Sequence, residues 1–561
     1  MSYSRKPVVA PTVSGLTLRA LTWLLERPVL GAPVRTKLVA DAGILDLRSF
    51  AVDTSNLMPP LDQAARVSDS PVQTAQELAE RAARLPDRPT PTAPSANDYT
   101  RAYLAGSLSP IQVAERVSAA ITQSNAADKP LRAIIAHQVD DLMTQARASA
   151  QRYADGVPLG PLDGVPVAVK DEVDQVPYPT TVGTSFLGTT PATTDATVVA
   201  RLRAAGALLI GKANMHELGI GVTGLNPHHG VVRNPWDASR HTGGSSSGSA
   251  ASVAAGLCPL ALAADGGGSI RIPAALCGVV GLKPTFSRVS EHGAAPLCWT
   301  VGHLGPIGVT VRDAALGYAI LAGPDPLDPA TAGQPAPDLN AIERLDLTGV
   351  RLGVCTPWFE DATPDVVARC KDVLTVLKEA GATVHEVSMD TIDAVRLAHL
   401  VTIASEMCAS QLPHDGEHRR DYGLDVRINF AVARSFGAAD YAHAQRIRRA
   451  GYEEFMRVLS DVDAIITPTT GCTAPPINEA ALPNGESNLV LLSEIMRFAA
   501  QANLLGLPAI SLPAGLDSQG LPVGFQAMGR PWSEALLLRI AHVAEQRIAL
   551  PRPPTFFDLL C

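Results

Sequence analysis

Residues 243–271 read GGSSSGSAASVAAGLCPLALAADGGGSIR and set two serines, Ser245 and Ser269, in separate glycine-rich turns. The small residues from Ser249 to Ala255 predict a helix packed closely on its surroundings, with Gly256 as the left-handed residue that ends it. Its N-terminus falls near Ser245, where the helix dipole favours developing negative charge. Upstream lies GVPVAVKDEVD, whose Lys170 precedes Ser245 by 75 residues, and Ser269 follows Ser245 after 24 more. The run Val165-Pro166-Val167-Ala168-Val169, which Lys170 closes, reads as a buried strand.

These residue types suit a serine hydrolase whose base is an amine. A serine hydroxyl is a weak nucleophile until a neighbouring base removes its proton during attack. Burial in low dielectric disfavours the ammonium form of a lysine, so Lys170 at a buried strand end can accept that proton. Ser245 would relay it, and Ser269, at the end of Asp265-Gly266-Gly267-Gly268-Ser269, would attack. Consecutive glycines let N–H groups turn inward without a Cβ penalty, so Gly266, Gly267, Gly268 and Ser269 form the expected oxyanion hole. The Gly244–Ser245 turn admits a strained backbone, a cis peptide included. Asp265 is expected to accept N–H groups and hold the glycine turn, and Arg271 to be a structural ion-pair partner. Each feature alone also has a bland reading, since Gly/Ser stretches are usually loops and a lysine at a strand end is usually solvated.

Taken together, GGSSSGSAASVAAG, ADGGGSIRIPAALCGVVGLKPT and PVAVKDEVD resemble the signature and lysine segments of the amidase signature family. RLRAAGALLIGKAN (201–214), Asn234-Pro235-Trp236-Asp237, IITPTT (465–470) and ANLLGLPAISLPAGLDSQGLPVGFQAMGR (502–530) are similar to family segments in family order, so the likeness runs from Tyr99 to Arg547. The resemblance implies an α/β fold: a single large mixed, twisted sheet with helices on both faces and the signature segment at its core. It also implies a Ser269, cis-Ser245, Lys170 triad that forms an acyl-enzyme on Ser269. TGGSSSGS, DGGGS, LCGVVGLK and the N-terminal KPVVAPTVSGLTLRALTWLLERPVLGAPV are similar to fatty acid amide hydrolases of the plant type. That likeness implies hydrolysis of lipid-like amides such as N-acylethanolamines to a carboxylic acid and an amine. A general amidase, esterase or carbamate hydrolase for smaller acyl or aryl groups is the alternative, followed by an amidotransferase A subunit. The family also suggests an acyl pocket in the region from Met407 to Phe436, which holds Leu412, Tyr422, Ile428, Phe430, Val432 and Phe436.

Composition fits and excludes rivals. With 561 residues, 46% of them hydrophobic, the chain can bury a large core. A net charge of −9 gives no electrostatic reason to bind nucleic acid. The eight cysteines show no C-x-x-C pair, and adjacent His228 and His229 have no carboxylate or cysteine spaced to complete a site, so neither a metal nor a cofactor is expected. A reducing cytoplasm is the simplest home, and a homodimer is compatible with this reading.

Residues 1–96 read as an N-terminal extension of two or three helices, ending in the Pro- and Thr-rich stretch RLPDRPTPTAPSAN (84–97), and residues 97–561 as the catalytic domain. The catalytic domain opens on a capping box, Ser109 with Pro110 at the first helical position and Gln112 at the third. Asp195 to Ala205 reads as a helix stopped by Gly206, followed by a buried strand over residues 207–210. No signal segment or membrane span is legible, because Arg19, Glu26 and Arg27 break the apolar stretch. Leu16, Leu18, Leu21, Trp23, Leu24 and Leu25 nevertheless crowd one face of a helix ended before Pro28. Such a face packs on its own protein, covers a lipid entrance, or makes a peripheral membrane contact.

Overall fold

The computed structural model describes residues 8, 10–52, 73–86, 88, 93–548 and 550–561. One mixed sheet of eleven strands organises them. In chain order these are β1 (Ile134–Ala136), β2 (Pro166–Lys170), β3 (Leu208–Ala213), β4 (Leu260–Ala264), β5 (Val280–Lys283), β6 (Leu304–Gly308), β7 (Arg351–Val354), β8 (Thr383–Glu386), β9 (Ala464–Pro468), β10 (Ala509–Leu516) and β11 (Pro522–Gly529). Across the sheet they lie in the order β8-β7-β9-β11-β10-β5-β6-β4-β2-β3-β1. Strands β3, β2 and β4 run parallel to one another, as do β8, β7 and β9, and the remaining pairings are antiparallel. Buried throughout, β2 and β4 read as apolar runs, VAV before Lys170 and LALAA in β4.

The segment 243–271 lies at the centre. The helix Ser247–Ala254 is buried at every position and stands beside β4, and the helix Arg271–Cys277 is buried throughout as well. Gly256 has φ +76° and turns the chain back towards β4, as its position predicts. The capping box forms: Gln112 N–H donates to Ser109 Oγ at 3.3 Å, Ser109 N–H to Gln112 Oε1 at 2.9 Å, and the helix runs Pro110–Ala126. The expected helix at 195–205 is shorter, Thr197–Ala204, because the Asp195 carboxylate accepts Val176 N–H and pairs with Arg203 at 2.7 Å.

Four helices are present in the described part of residues 1–96: Gly15–Leu25, Ala32–Asp41, Ile44–Ser49 and Ala75–Ala83. They pack on the rest of the chain at several places. Leu18 and Leu25 bury against Ile428 and Ala431 of the helix Leu424–Ala433, Ile44 and Leu47 join the cluster around Leu397, and Leu78 and Ala82 enter the main core. Glu26 pairs with Arg427 at 2.8 Å, Arg48 with Asp440 at 2.8 Å, and Val13–Ser14 forms an antiparallel ribbon with Glu486–Ser487. Of the apolar residues on the first helix, Leu16 and Trp23 face outwards, 82% and 51% exposed. Residues 87 and 89–92 of the stretch 84–97 lie outside the described residues, and the helix Ala96–Leu104 begins at its end.

Candidate active site

Parallel pairing explains how distant residues meet. Val169 of β2 stands opposite Leu262 of β4, so the C-terminal ends of the two strands reach the same sheet edge, where open α/β sheets place their ligands. Lys170 closes β2 there, and Asp265 to Ser269 follow β4. Lys170 is 1% exposed, with Nζ 2.8 Å from Ser245 Oγ and 3.3 Å from the Ala264 carbonyl oxygen. Ser245 and Ser269, both buried, line the same cavity of about 500 Å³ as Lys170. The Gly244–Ser245 peptide is cis. Ser246 ties the two turns together, its N–H donating to the Ser269 carbonyl at 3.3 Å and its hydroxyl to the Ala264 carbonyl at 3.0 Å. Sequence reasoning thus named three residues that the fold brings to one cavity.

The turn that carries Ser269 is held by a buried carboxylate. Asp265 accepts the N–H groups of Gly268 and Ile270 and pairs with Arg271, whose Nε lies 3.0 Å away. Burial alone would raise this carboxyl, yet Arg271, Lys283 and Asn503 hold it well below the usual carboxylate range. Gly268 N–H is therefore committed to Asp265, which leaves the N–H groups of Gly266, Gly267 and Ser269 without a protein partner among the described residues. The turn leaves no space for side chains: a Cβ at Gly266 would lie 2.9 Å from Cys298 Sγ, and one at Gly268, where φ is +116°, 2.6 Å from Ala499 Cβ.

Two contributors were missed from the sequence. His399, on the helix Ile392–Ser410, donates from Nε2 to the Gly266 carbonyl at 2.7 Å and so fixes the plane of the Gly266–Gly267 peptide. Burial pushes this imidazole down to about 4, which keeps it neutral and its Nε2 proton in place for the carbonyl. No local pattern singles out His399, because the contact spans 133 residues. The second is Glu172, whose Oε2 lies 3.0 Å from Lys170 Nζ. Glu291, half-buried, also lines the cavity and is pushed up to about 8 by burial and by Asp328, Glu172 and Glu406.

A second, larger cavity of about 1140 Å³ has a lining of its own. Its apolar wall includes Leu38 and Ala42 from the N-terminal helices, Leu400 and Ala404, and Ile428, Val432 and Phe436. Among the remaining residues named for an acyl pocket, Tyr422 and Phe430 are packed edge-to-face in the core, and Leu412 is 64% exposed. The two cavities are close. His216 lines the larger one while its N–H donates to the Ser245 carbonyl at 3.1 Å, and the helix Ile392–Ser410 presents Leu400 and Ala404 to the larger cavity and Met407 to the smaller. His228 and His229 have different partners, Glu217 at 2.8 Å and Thr181 at 3.3 Å.

Residues 115–538 match the sequence profile of the family described as Amidase. The chain belongs to the amidase family. A fatty acid amide hydrolase of Oryza sativa subsp. indica is 39% identical over 587 aligned positions, which cover all of this chain and 96% of that protein. The A subunit of glutamyl-tRNA(Gln) amidotransferase from Symbiobacterium thermophilum is 38% identical, but over 80% of this chain and 95% of its own. Among solved structures, the native peptide amidase from Stenotrophomonas maltophilia superposes with a TM-score of 0.70 at 30% identity, covering 83% of this chain and 98% of that one. The large mixed sheet flanked by helices is the α/β fold of these enzymes, and the protein is an amidase similar to fatty acid amide hydrolases.

Proposed function

We propose that this amidase cleaves fatty acid amides, N-acylethanolamines among them, to a carboxylic acid and an amine through an acyl-enzyme on Ser269. The observation that carries the reading is the largely apolar cavity lined by His216, whose N–H donates to the Ser245 carbonyl, with a wall that includes residues of the N-terminal region. The full-length likeness to fatty acid amide hydrolases supports it. Lys170 in its amine form takes a proton from Ser245 as Ser245 takes one from Ser269, and Ser269 Oγ bonds to the substrate carbonyl carbon. The oxyanion is met by the N–H groups of Gly266, Gly267 and Ser269, with Gly268 shaping the turn. The proton then returns from Lys170 through Ser245 to the leaving nitrogen as the C–N bond breaks, and water completes the cycle on the ester.

No described helix is long and apolar enough to cross a membrane. A peripheral contact is the better reading of the outward-facing Leu16, Trp23, Val29 and Leu30, with Arg27 stacked 4.7 Å above the Trp23 ring. The likeness to amidotransferase A subunits favours a second reading, release of ammonia from glutamine on the same triad. Rates on long-chain acylethanolamides, short aliphatic amides, aryl anilides and glutamine separate the readings. Preference for long chains is expected, and preference for glutamine would replace this proposal with the second.

A further inference from the structure

We infer that Glu172 is the counter-ion of the lysine base, a positioning residue that aims the Lys170 amine at Ser245 and stabilises the ammonium formed when Ser269 attacks. The inference rests on Lys170 acting as the base. Lys170 Nζ has three oxygen neighbours: Ser245 Oγ at 2.8 Å, Glu172 Oε2 at 3.0 Å and the Ala264 carbonyl at 3.3 Å. An amine has two N–H groups and one lone pair, whereas an ammonium has three N–H groups. In the amine, the two N–H groups donate to Glu172 and Ala264, which leaves the lone pair for the Ser245 hydroxyl. After proton uptake the third N–H donates back to Ser245. Both states are satisfied without movement, and only the charged one gains from the Glu172 carboxylate.

The surroundings leave that task to Glu172. The chain turns directly after β2, with Val173 N–H donating to the Lys170 carbonyl at 3.1 Å, and this turn brings Glu172 back to Lys170, while Asp171 pairs with Lys212 of β3 at 3.6 Å. The Glu172 main chain is anchored by Ala295 N–H, which donates to its carbonyl at 2.8 Å. Glu291 and Cys298 face the same cavity from the 289–303 segment, and both are pushed up by burial towards their uncharged forms. Glu406, on the helix Ile392–Ser410, is engaged by Thr300 and Tyr441. Asp265 is paired with Arg271, and burial pushes His303 well down, so it carries no charge. Among the described residues the ion pair of Lys170 is the one with Glu172.

The test is the pH dependence of kcat/KM and of the rate at which a fluorophosphonate labels Ser269, in wild type, Glu172→Gln, Glu172→Ser and Glu172→Asp. Removing a carboxylate disfavours the ammonium, so in Glu172→Gln and Glu172→Ser the acidic midpoint should move down by roughly 1 to 3 pH units. The plateau should fall by about tenfold or more, because the ammonium formed during attack has lost its counter-charge. Glu172→Asp should hold the midpoint near that of wild type. A midpoint does not depend on the folded fraction, so partial misfolding leaves the result readable. A lower plateau with an unmoved midpoint in both neutral variants would overturn the inference and leave Lys170 as base. Full activity in Lys170→Ala would instead overturn the reading on which it rests.

Discussion

Replacing Val432 by Trp tests whether the larger cavity receives the acyl chain. Val432 lines the cavity of about 1140 Å³ from the helix Leu424–Ala433, whereas the glycine turn is supported from the helix Ile392–Ser410. An indole at this position should displace about four methylenes of a bound chain, at about 0.8 kcal/mol each. The loss of about 3 kcal/mol corresponds to a roughly 200-fold drop in kcat/KM for a long-chain acylethanolamide. A short-chain amide never reaches the substituted wall and should keep its rate within about threefold. The assay is a homologous series of acyl amides, read as log kcat/KM against chain length, with the melting temperature as the check on folding. Wild type should rise with each methylene until the cavity is full, and the variant should level off several carbons earlier. Parallel lines, or an equal loss at every length in a folded variant, would refute the assignment of the cavity to the acyl chain.

Truncation of residues 1–52 takes Leu38 and Ala42 from the cavity wall and spares the helix Ala75–Ala83, so it should weaken turnover of long-chain amides far more than that of short ones; a folded truncation with unchanged chain-length preference would reduce these helices to a structural clasp. Lys170→Ala should slow amides more than matched esters, since an amine leaves only when protonated, and Lys170→Arg should not restore the rate because arginine stays charged; equal losses on both substrates would count against a role in leaving-group protonation. Arg271→Met strands the buried Asp265 carboxylate and should cost about 3 to 5 kcal/mol in urea unfolding. Because Asp265 is depressed in the folded state, its contribution in wild type is present above the unfolded carboxylate value of about 3.9 and is lost only as pH falls below it, so acid titration of stability should show no Asp265 step near neutrality.

Local signals located the residues that meet at the cavity better than those that support them. Lys170 was legible because VPVAV is a buried strand in any α/β context, and the two glycine turns because their composition fits few other conformations. Ser109, Pro110 and Gln112 announced a helix start that needs no tertiary information. Asp195 misled the helix boundary, since a carboxylate that reads as part of a helical segment was instead occupied by Val176 and Arg203. Asp265 was recognised as the support of the glycine turn, but its capture of the Gly268 N–H removes one donor from the expected oxyanion hole. Glu172 stood in plain view within DEVD, yet which of three neighbouring acids meets Nζ depends on where the strand ends and which way the chain turns. His399 and the cavity wall depend on helices that reach the site from far along the chain. The leucines of the first helix show the limit of pattern reading, because Leu18 and Leu25 pack inwards while Leu16 and Trp23, a short rotation away, face outwards.

Reaction of the intact protein with a long-chain fluorophosphonate, followed by peptide mapping, tests the central claim most directly. One adduct is expected, on Ser269, and Ser269→Ala should take up none while Ser245→Ala labels slowly at Ser269. An adduct on Ser245 with Ser269 unmodified would contradict the account.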